Sequence, residues 1–207
     1  MPRLKLFGAE FSVYVRIVQL TLAQKHVDYE FVPLNVFAPE GIPAWYLDLQ
    51  PFGRMPAFEH DGFKLFETAA IARYIDEAFA GPPLQPNDVK RRATMAQIVG
   101  LLDSYAYRAM VWDVYVERVD KPNEGKAPDE ALISAGLDKS KTSLAVLTKL
   151  KSPGDWLLGE QVTLADLHAA PMFGYFIKAP EGRALLADHP ELARWYERAA
   201  KLPGLAV

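Results

Sequence analysis

The sequence PFGRMPAFEHDGFKLFETAAIARYID, residues 51–76, predicts a β-hairpin followed directly by a helix. The short apolar run Ala57-Phe58 is typical of a strand, and residues 63–66 predict a second one. Asp61-Gly62 between them is a strong signal for a tight hairpin turn. After Glu67 the apolar side chains keep helical spacing, at Ala69, Ile71, Ala72 and Ile75.

Pro56 stands between a turn and an inner strand, where it cannot donate to a strand ladder. Taken alone, Met55-Pro56 favours a trans proline at a strand start, because only about one X-Pro bond in twenty is cis. A cis bond would instead turn the backbone N–H and C=O of Met55 outward, where an extended peptide could pair with them.

The dipeptide Glu67-Thr68 opens the predicted helix and also has two interpretations. The first turn of a helix carries unpaired N–H groups and a partial positive charge, so it attracts anions. Thr68 could offer its N–H and hydroxyl to a carboxylate while Glu67 accepts from an ammonium group, which would suit a free amino-acid head group. In isolation, the simpler interpretation is that Thr68 caps the helix.

The remaining pattern predicts an α/β domain followed by an all-helical one. Upstream of the hairpin, strands are predicted at 4–7 and 29–34, a helix at 13–25, and one helical turn at 44–47. Residues 80–88 contain one glycine and three prolines and predict a linker between domains 1–79 and 89–207. Helices are predicted at 89–119, 130–149, from 163 onward, and 191–201.

Thr163-Leu-Ala-Asp166 predicts a capping box at the start of its helix, with Asp in place of the usual Glu or Gln. Val162 and Leu167 are spaced for a hydrophobic staple. We therefore interpret Asp166 as a structural residue.

Composition excludes several classes of function. The net charge is −3 and neither predicted domain is basic, which argues against nucleic acid or an anionic membrane as a partner. No apolar run approaches a membrane span and no signal-peptide core is present, so a cytoplasmic location is expected. The absence of cysteine removes disulfides, thiolate metal sites and a cysteine nucleophile. The four histidines show no metal-ligand spacing, so no metal is expected.

The assembly of strands, helices, proline and hairpin resembles the thioredoxin-like domain of cytosolic glutathione transferases. Met55-Pro56 falls on the family's cis-proline, which pairs with the cysteinyl backbone of glutathione. Glu67-Thr68-Ala-Ala-Ile falls on its Glu-Ser-x-Ala-Ile segment, which holds the γ-glutamyl end. Thr163-x-x-Asp166 matches the core helix of the family's helical-bundle domain, so the resemblance covers both domains. The resemblance implies a βαβαββα domain followed by an all-α domain. It also implies glutathione as co-substrate and a role in detoxification. The implied homodimer pairs the helix after Thr68 with the long helix 89–119.

Ser12 is the candidate catalytic residue. It lies where the serine-type (phi-like) transferases place the serine that contacts the sulfur of glutathione. In that role it would donate a hydrogen bond to the thiolate and would not itself be a nucleophile. The alternative is that Ser12 is only the N-cap of the first helix, and both roles are compatible if the backbone does the capping. Tyr14 is a second alternative, although tyrosine-type transferases carry that residue at the end of the first strand, where this chain has Phe7.

The segment 36–49 departs from the family pattern. The phi-type pattern has basic residues there for the glycyl carboxylate of glutathione, but this segment contains no Lys, Arg or His. Arg54, beside Met55, is the expected substitute.

Aromatic side chains are the candidates for binding the second substrate. Tyr105, Arg108, Trp112 and Tyr115 fall on one face of a regular α-helix, and Phe11, Phe37 and Met110 are expected to join them in an apolar cleft. A core or dimer-interface role for this stripe is equally compatible with the pattern.

We therefore expect a transferase that joins the glutathione thiolate to small hydrophobic electrophiles. The alternative is a non-catalytic member of the same family that binds ligands or proteins. Without cysteine, neither should perform thiol–disulfide chemistry.

Overall fold

A computed structural model describes residues 4–205, which divide into two compact units between Pro83 and Leu84. The first unit contains a four-stranded sheet of order β2-β1-β3-β4. Its strands are β1 (Leu4–Gly8), β2 (Glu30–Pro33), β3 (Ala57–His60) and β4 (Phe63–Leu65), and its helices are α1 (Val13–Gln24), α2 (Ala44–Leu47) and α3 (Thr68–Ala78). The β1–β2 pair is parallel and the other two pairs are antiparallel. The predicted βαβαββα order is confirmed.

Alternating residues of the strands supply two separate apolar clusters, because successive side chains point to opposite faces of a sheet. Leu6 and Phe58 belong to the larger cluster, which includes residues of α1 and α3 such as Val15 and Ile71. Their neighbours on the other face form a smaller cluster consisting of Phe7, Leu34, Tyr46, Leu49 and Ala57. The short helix α2 is thereby attached to the sheet through Tyr46.

The second unit is helical. Its elements are α4 (Val89–Leu101), two π-helical segments (Leu102–Ala106 and Arg108–Asp120), α5 (Lys121–Asn123), α6 (Glu130–Leu150), α7 (Leu164–Phe176), α8 (Pro180–Ala187) and α9 (Pro190–Ala199). Helical structure thus continues past the predicted end at 119 to Asn123. Pro122 is compatible with it because it stands in the first turn of α5, where its fixed φ suits a helix. Helix α8 was not predicted; its sequence signal is Pro180 at the first helical position, as Pro190 is in α9.

All thirteen residues of α7 are buried. The Asp166 carboxylate accepts hydrogen bonds of 2.8 Å from the amides of Leu157 and Thr163, from the Thr163 hydroxyl and from the Trp195 indole N–H. The predicted capping box of Thr163 and Asp166 is therefore confirmed, with both of its halves present. Burial raises the pKa of the Asp166 carboxyl above its usual value, while these hydrogen bonds act in the opposite direction.

Within residues 4–205, none of the helices combines the length and apolar character that crossing a membrane requires.

Candidate active site and family membership

Ser12 is the N-cap of α1, immediately after the loop that leaves β1. Its backbone is extended (φ −73°, ψ 123°), and its Oγ accepts from the Val15 amide at 3.4 Å. This capping bond is long and uses Oγ only as an acceptor, so the hydroxyl proton remains available for a different acceptor. Capping the helix and donating to a thiolate are therefore compatible at this position.

Gly8 allows the Ser12 loop and Met55 to approach each other. A Cβ on Gly8 would overlap the side chain of Val15 and come within 3.4 Å of the Met55 Cβ. A hydrogen bond to the residue after β2 also fixes the end of β1, because the Gly8 carbonyl accepts from the Leu34 amide at 2.8 Å. Only glycine lets β1 end at this distance from both α1 and Met55.

The Met55-Pro56 peptide bond is cis. The family resemblance implies this form, whereas the dipeptide alone favours the trans form. Met55 is buried, and the preceding carbonyl, that of Arg54, accepts from the Tyr46 hydroxyl at 2.7 Å. In the described part of the chain, none of the backbone hydrogen bonds outside helices and strands uses the amide or carbonyl of Met55. Both groups therefore remain available to an extended ligand.

Glu67 and Thr68 form the start of α3. Glu67 occupies the N-cap position with φ 68°, a conformation that non-glycine residues rarely adopt, and its side chain makes no capping bond. Thr68 is the first helical residue and is 6% exposed. The interpretation of Thr68 as the cap is wrong, because the cap position belongs to Glu67. The amides of the first turn have no helical acceptor and can bind an anion.

Arg54 is exposed, at the end of a turn that follows α2. The turn is fixed by two bonds of Gln50: its side chain accepts from the Phe52 amide at 2.8 Å, and its carbonyl accepts from the Gly53 amide at 3.0 Å. The guanidinium of Arg54 thus projects from a fixed backbone.

Comparison with known proteins agrees with this geometry in both units. Residues 6–83 match the family model described as "Glutathione S-transferase, N-terminal domain", and residues 130–198 match "Glutathione S-transferase, C-terminal domain". "Glutathione S-transferase F13" of Arabidopsis thaliana is 30% identical over 97% of this chain and 92% of its own length. A "Glutathione S-transferase" of Hyoscyamus muticus is 33% identical over 93% of this chain and 91% of its own. The crystal structure of glutathione transferase F7 from Populus trichocarpa superposes with a TM-score of 0.84, at 30% identity, over 97% of this chain and 95% of that one.

The chain belongs to the glutathione S-transferase family. The predicted membership and the two-part fold are confirmed.

Two aromatic side chains lie near each other in the N-terminal unit of this transferase, and one of them belongs to Phe11, the residue before Ser12. Phe11 is 50% exposed and Phe37 is 60% exposed, and their ring centroids are 6.5 Å apart. Phe11 also lines an open cleft of about 650 Å³ together with residues from the end of β1, α1 and the end of β2. These two rings offer apolar surface that a ligand could cover.

The candidate substrate residues of the helical unit differ widely in exposure. Tyr105 is 70% exposed, whereas Met110 is fully buried and Tyr115 is 9% exposed. The other two have partners within the unit: Arg108 forms an ion pair with Asp113 at 2.7 Å, and Trp112 donates to the Tyr107 hydroxyl at 3.0 Å.

These residues do not share one face in the way that the spacing predicted. The prediction assumed a regular α-helix, but residues 108–120 are π-helical, with hydrogen bonds from i to i+5. The wider turn changes which positions align along the helix, and Tyr115 packs against Tyr175 with ring centroids 4.7 Å apart. That part of the stripe is core.

Sequence reasoning missed Tyr46 and Gln50, which fix the backbone on either side of the turn before Met55. Neither lies in a recognisable periodic pattern, and Gln50 is a buried polar residue in a segment that the sequence marks as irregular. Among residues 4–205, no group of three or more His, Asp or Glu side chains is placed to bind a metal ion.

Proposed function

We propose that this chain catalyses attack of the glutathione thiolate on small hydrophobic electrophiles, with Ser12 as hydrogen-bond donor to the sulfur. The observation that carries the proposal is the position of Ser12 at the N-terminus of α1, with Oγ accepting from the Val15 amide and its proton free to donate. Ser12 is then a catalytic residue that stabilises a charge and forms no covalent bond to the substrate.

The energetics of this role are sufficient without a general base. A free thiol titrates near 8.5, and lowering its pKa by about two units takes about 2.7 kcal/mol. A hydrogen bond to a charged sulfur contributes about 1.5–3 kcal/mol. The N-terminus of α1 adds about 0.3–1 kcal/mol. Holding the electrophile next to the sulfur then supplies the proximity part of catalysis.

Glutathione would bind across the N-terminal domain, residues 1–79. The free amide and carbonyl of Met55, held by the cis bond to Pro56, suit pairing with the cysteinyl backbone. The first turn of α3 at Thr68 suits the γ-glutamyl carboxylate, with the Glu67 carboxylate for its ammonium group. Arg54 is the cation for the glycyl carboxylate.

The helical domain, residues 89–207 after the linker 80–88, would contribute to binding the electrophile. Tyr105, Arg108 and Trp112 are its candidates, while Met110 and Tyr115 would act through packing. Phe11 and Phe37 are the candidates of the N-terminal domain for the same ligand. A homodimer, a cytoplasmic location and a role in detoxification complete the proposal.

The exposed ring of Phe52, packed edge-on against Phe66, is apolar surface that a second copy could cover. Light scattering should give twice the monomer mass, and a monomer at micromolar concentration would contradict the dimer.

The test compares catalysis with simple binding. Purified protein is applied to immobilised glutathione, and its rate of conjugation is measured with glutathione and a neutral activated aryl halide. We expect retention and a rate above the uncatalysed reaction. Retention without catalysis would support the ligand-binding alternative, and a chain that neither binds nor catalyses would contradict the proposal.

Replacing Arg54 by alanine should weaken glutathione binding by about 1.4- to five-fold, because an exposed ion pair contributes only about 0.2–1 kcal/mol. The measurement is the Kd for glutathione by calorimetry, at low and high salt, since screening should shrink the difference. Lys64→Ala is the matched control, since Lys64 is another exposed cation of the same unit. Equal affinities for wild type and Arg54→Ala would remove Arg54 from the site.

A further inference from the structure

Tyr46 connects the core of the N-terminal unit to the peptide that precedes Met55. It lies in the four-residue helix α2 and is fully buried, in the cluster with Phe7 and Leu49. Its hydroxyl donates to the Arg54 carbonyl at 2.7 Å. This bond joins two segments eight residues apart, and its length is ordinary for a hydroxyl donor to a carbonyl.

The bond to the Arg54 carbonyl also fixes the Met55 amide. The carbonyl of Arg54 and the N–H of Met55 belong to one planar peptide unit, so their directions are coupled. This peptide is trans, since the cis bond is the next one, between Met55 and Pro56. In a trans peptide C=O and N–H point in opposite directions, so a carbonyl held on the Tyr46 side leaves the Met55 N–H pointing away from it.

The surroundings of Tyr46 keep this contact in one arrangement. Its amide donates to the Pro43 carbonyl and its carbonyl accepts from the Gln50 amide, so the short helix and the following turn are connected. The Gln50 side chain then holds the Phe52 amide. Burial raises the pKa of the Tyr46 hydroxyl well above its usual value, so the group remains a donor.

We propose that Tyr46 is a positioning residue for glutathione: its buried hydroxyl orients the Arg54–Met55 peptide so that the Met55 N–H meets the cysteinyl backbone of the ligand. The inference rests on the proposed function, because it assigns a purpose to the Met55 amide. Tyr46 itself touches neither the ligand nor the sulfur. Without its hydroxyl, the Arg54 carbonyl loses its partner and the peptide plane is free to rotate.

The test uses Tyr46→Phe, which keeps the buried ring and removes only the donor. One neutral hydrogen bond corresponds to about a two- to twelve-fold change in an equilibrium constant. We expect the Kd and the KM for glutathione to rise by that factor while kcat at saturating glutathione is unchanged, because the Met55 contact is the same in the ground state and the transition state. The pH at which bound glutathione ionises should also stay the same, because Ser12 is untouched.

Two controls separate positioning from general stability. Tyr74→Phe removes a different tyrosine hydroxyl of the same unit, one that bonds His60 at 2.8 Å, and should leave the KM unchanged. Leu49→Ala weakens the core cluster of Tyr46 but keeps its hydroxyl, and should lower the melting temperature more than it affects the KM.

The inference is overturned if Tyr46→Phe binds glutathione as wild type does, if its kcat falls instead of its KM rising, or if Leu49→Ala raises the KM equally. Each of these outcomes requires a wild type that binds glutathione. A wild type without affinity for glutathione is a separate result, and it overturns the proposed function itself.

Discussion

Replacing Ser12 by alanine is expected to lower kcat/KM for conjugation by about 10- to 150-fold, because the lost hydrogen bond to a thiolate corresponds to about 1.5–3 kcal/mol. The loss should depend on pH. Without the donor, the pKa of the bound thiol rises, so the acid limb of the rate profile moves to higher pH by about one to two units. At a pH where glutathione ionises unaided, wild type and variant should converge. The measurement is kcat/KM against pH for both proteins.

Two further substitutions of Ser12 separate catalysis from helix capping. Alanine also removes the cap of α1, which costs about 0.5–2 kcal/mol of stability, whereas glycine costs only a few tenths. Ser12→Gly should therefore lose as much kcat/KM as Ser12→Ala but be more stable, and Ser12→Thr should keep more of the wild-type activity than either. An alanine variant with wild-type kcat/KM at neutral pH would show that Ser12 only caps the helix.

Replacing Asp166 by alanine is expected to destabilise the helical unit by about 4 kcal/mol or more, because each of four buried donors left without a partner costs about 1–3 kcal/mol. The donors come from Leu157, Thr163 and Trp195, so the loss affects the loop before α7, the cap of α7 and the packing of α9. A loss of this size corresponds to a fall of about 8 °C or more in Tm. Urea and thermal unfolding of purified protein measure it.

Asp138→Ala is the matched control for Asp166, since Asp138 is an exposed helical aspartate whose pair with Lys141 is worth about 0–1 kcal/mol at most. We expect the control to unfold like wild type. Whatever fraction of Asp166→Ala remains folded should keep its kcat, because the residue is structural. A variant as stable as wild type, or a stable variant with reduced kcat, would contradict that assignment.

Local signals were sufficient to predict most of the fold. The hairpin and helix of residues 51–76 depend on Asp61-Gly62 and on apolar spacing, both of which act over a few residues. The Thr163–Asp166 pair is equally local, since the cap and its partner lie within one helical turn. The cis form of Met55-Pro56 required the resemblance of the whole domain, because the dipeptide by itself favours trans.

The remaining features depend on contacts that sequence spacing does not encode. The substrate stripe was predicted with α-helical spacing, and the π-helical turns of residues 108–120 changed which side chains align. The residues also differ in solvent exposure, since the Tyr105 side chain is exposed whereas Met110 and Tyr115 are buried. The bond from Tyr46 to the Arg54 carbonyl involves a backbone atom, which carries no residue-type signal that a sequence pattern could show.

The ionisation of glutathione bound to the wild-type protein tests the central claim most directly. The ultraviolet absorbance of the thiolate is titrated against pH, with the signal of free glutathione subtracted. Stabilisation by Ser12 and the N-terminus of α1 predicts a bound thiol that ionises about one to two units below the free value of about 8.5, so that thiolate is abundant near pH 7. Bound glutathione that ionises at the free value would contradict the account, because the site would then hold the thiol without activating it.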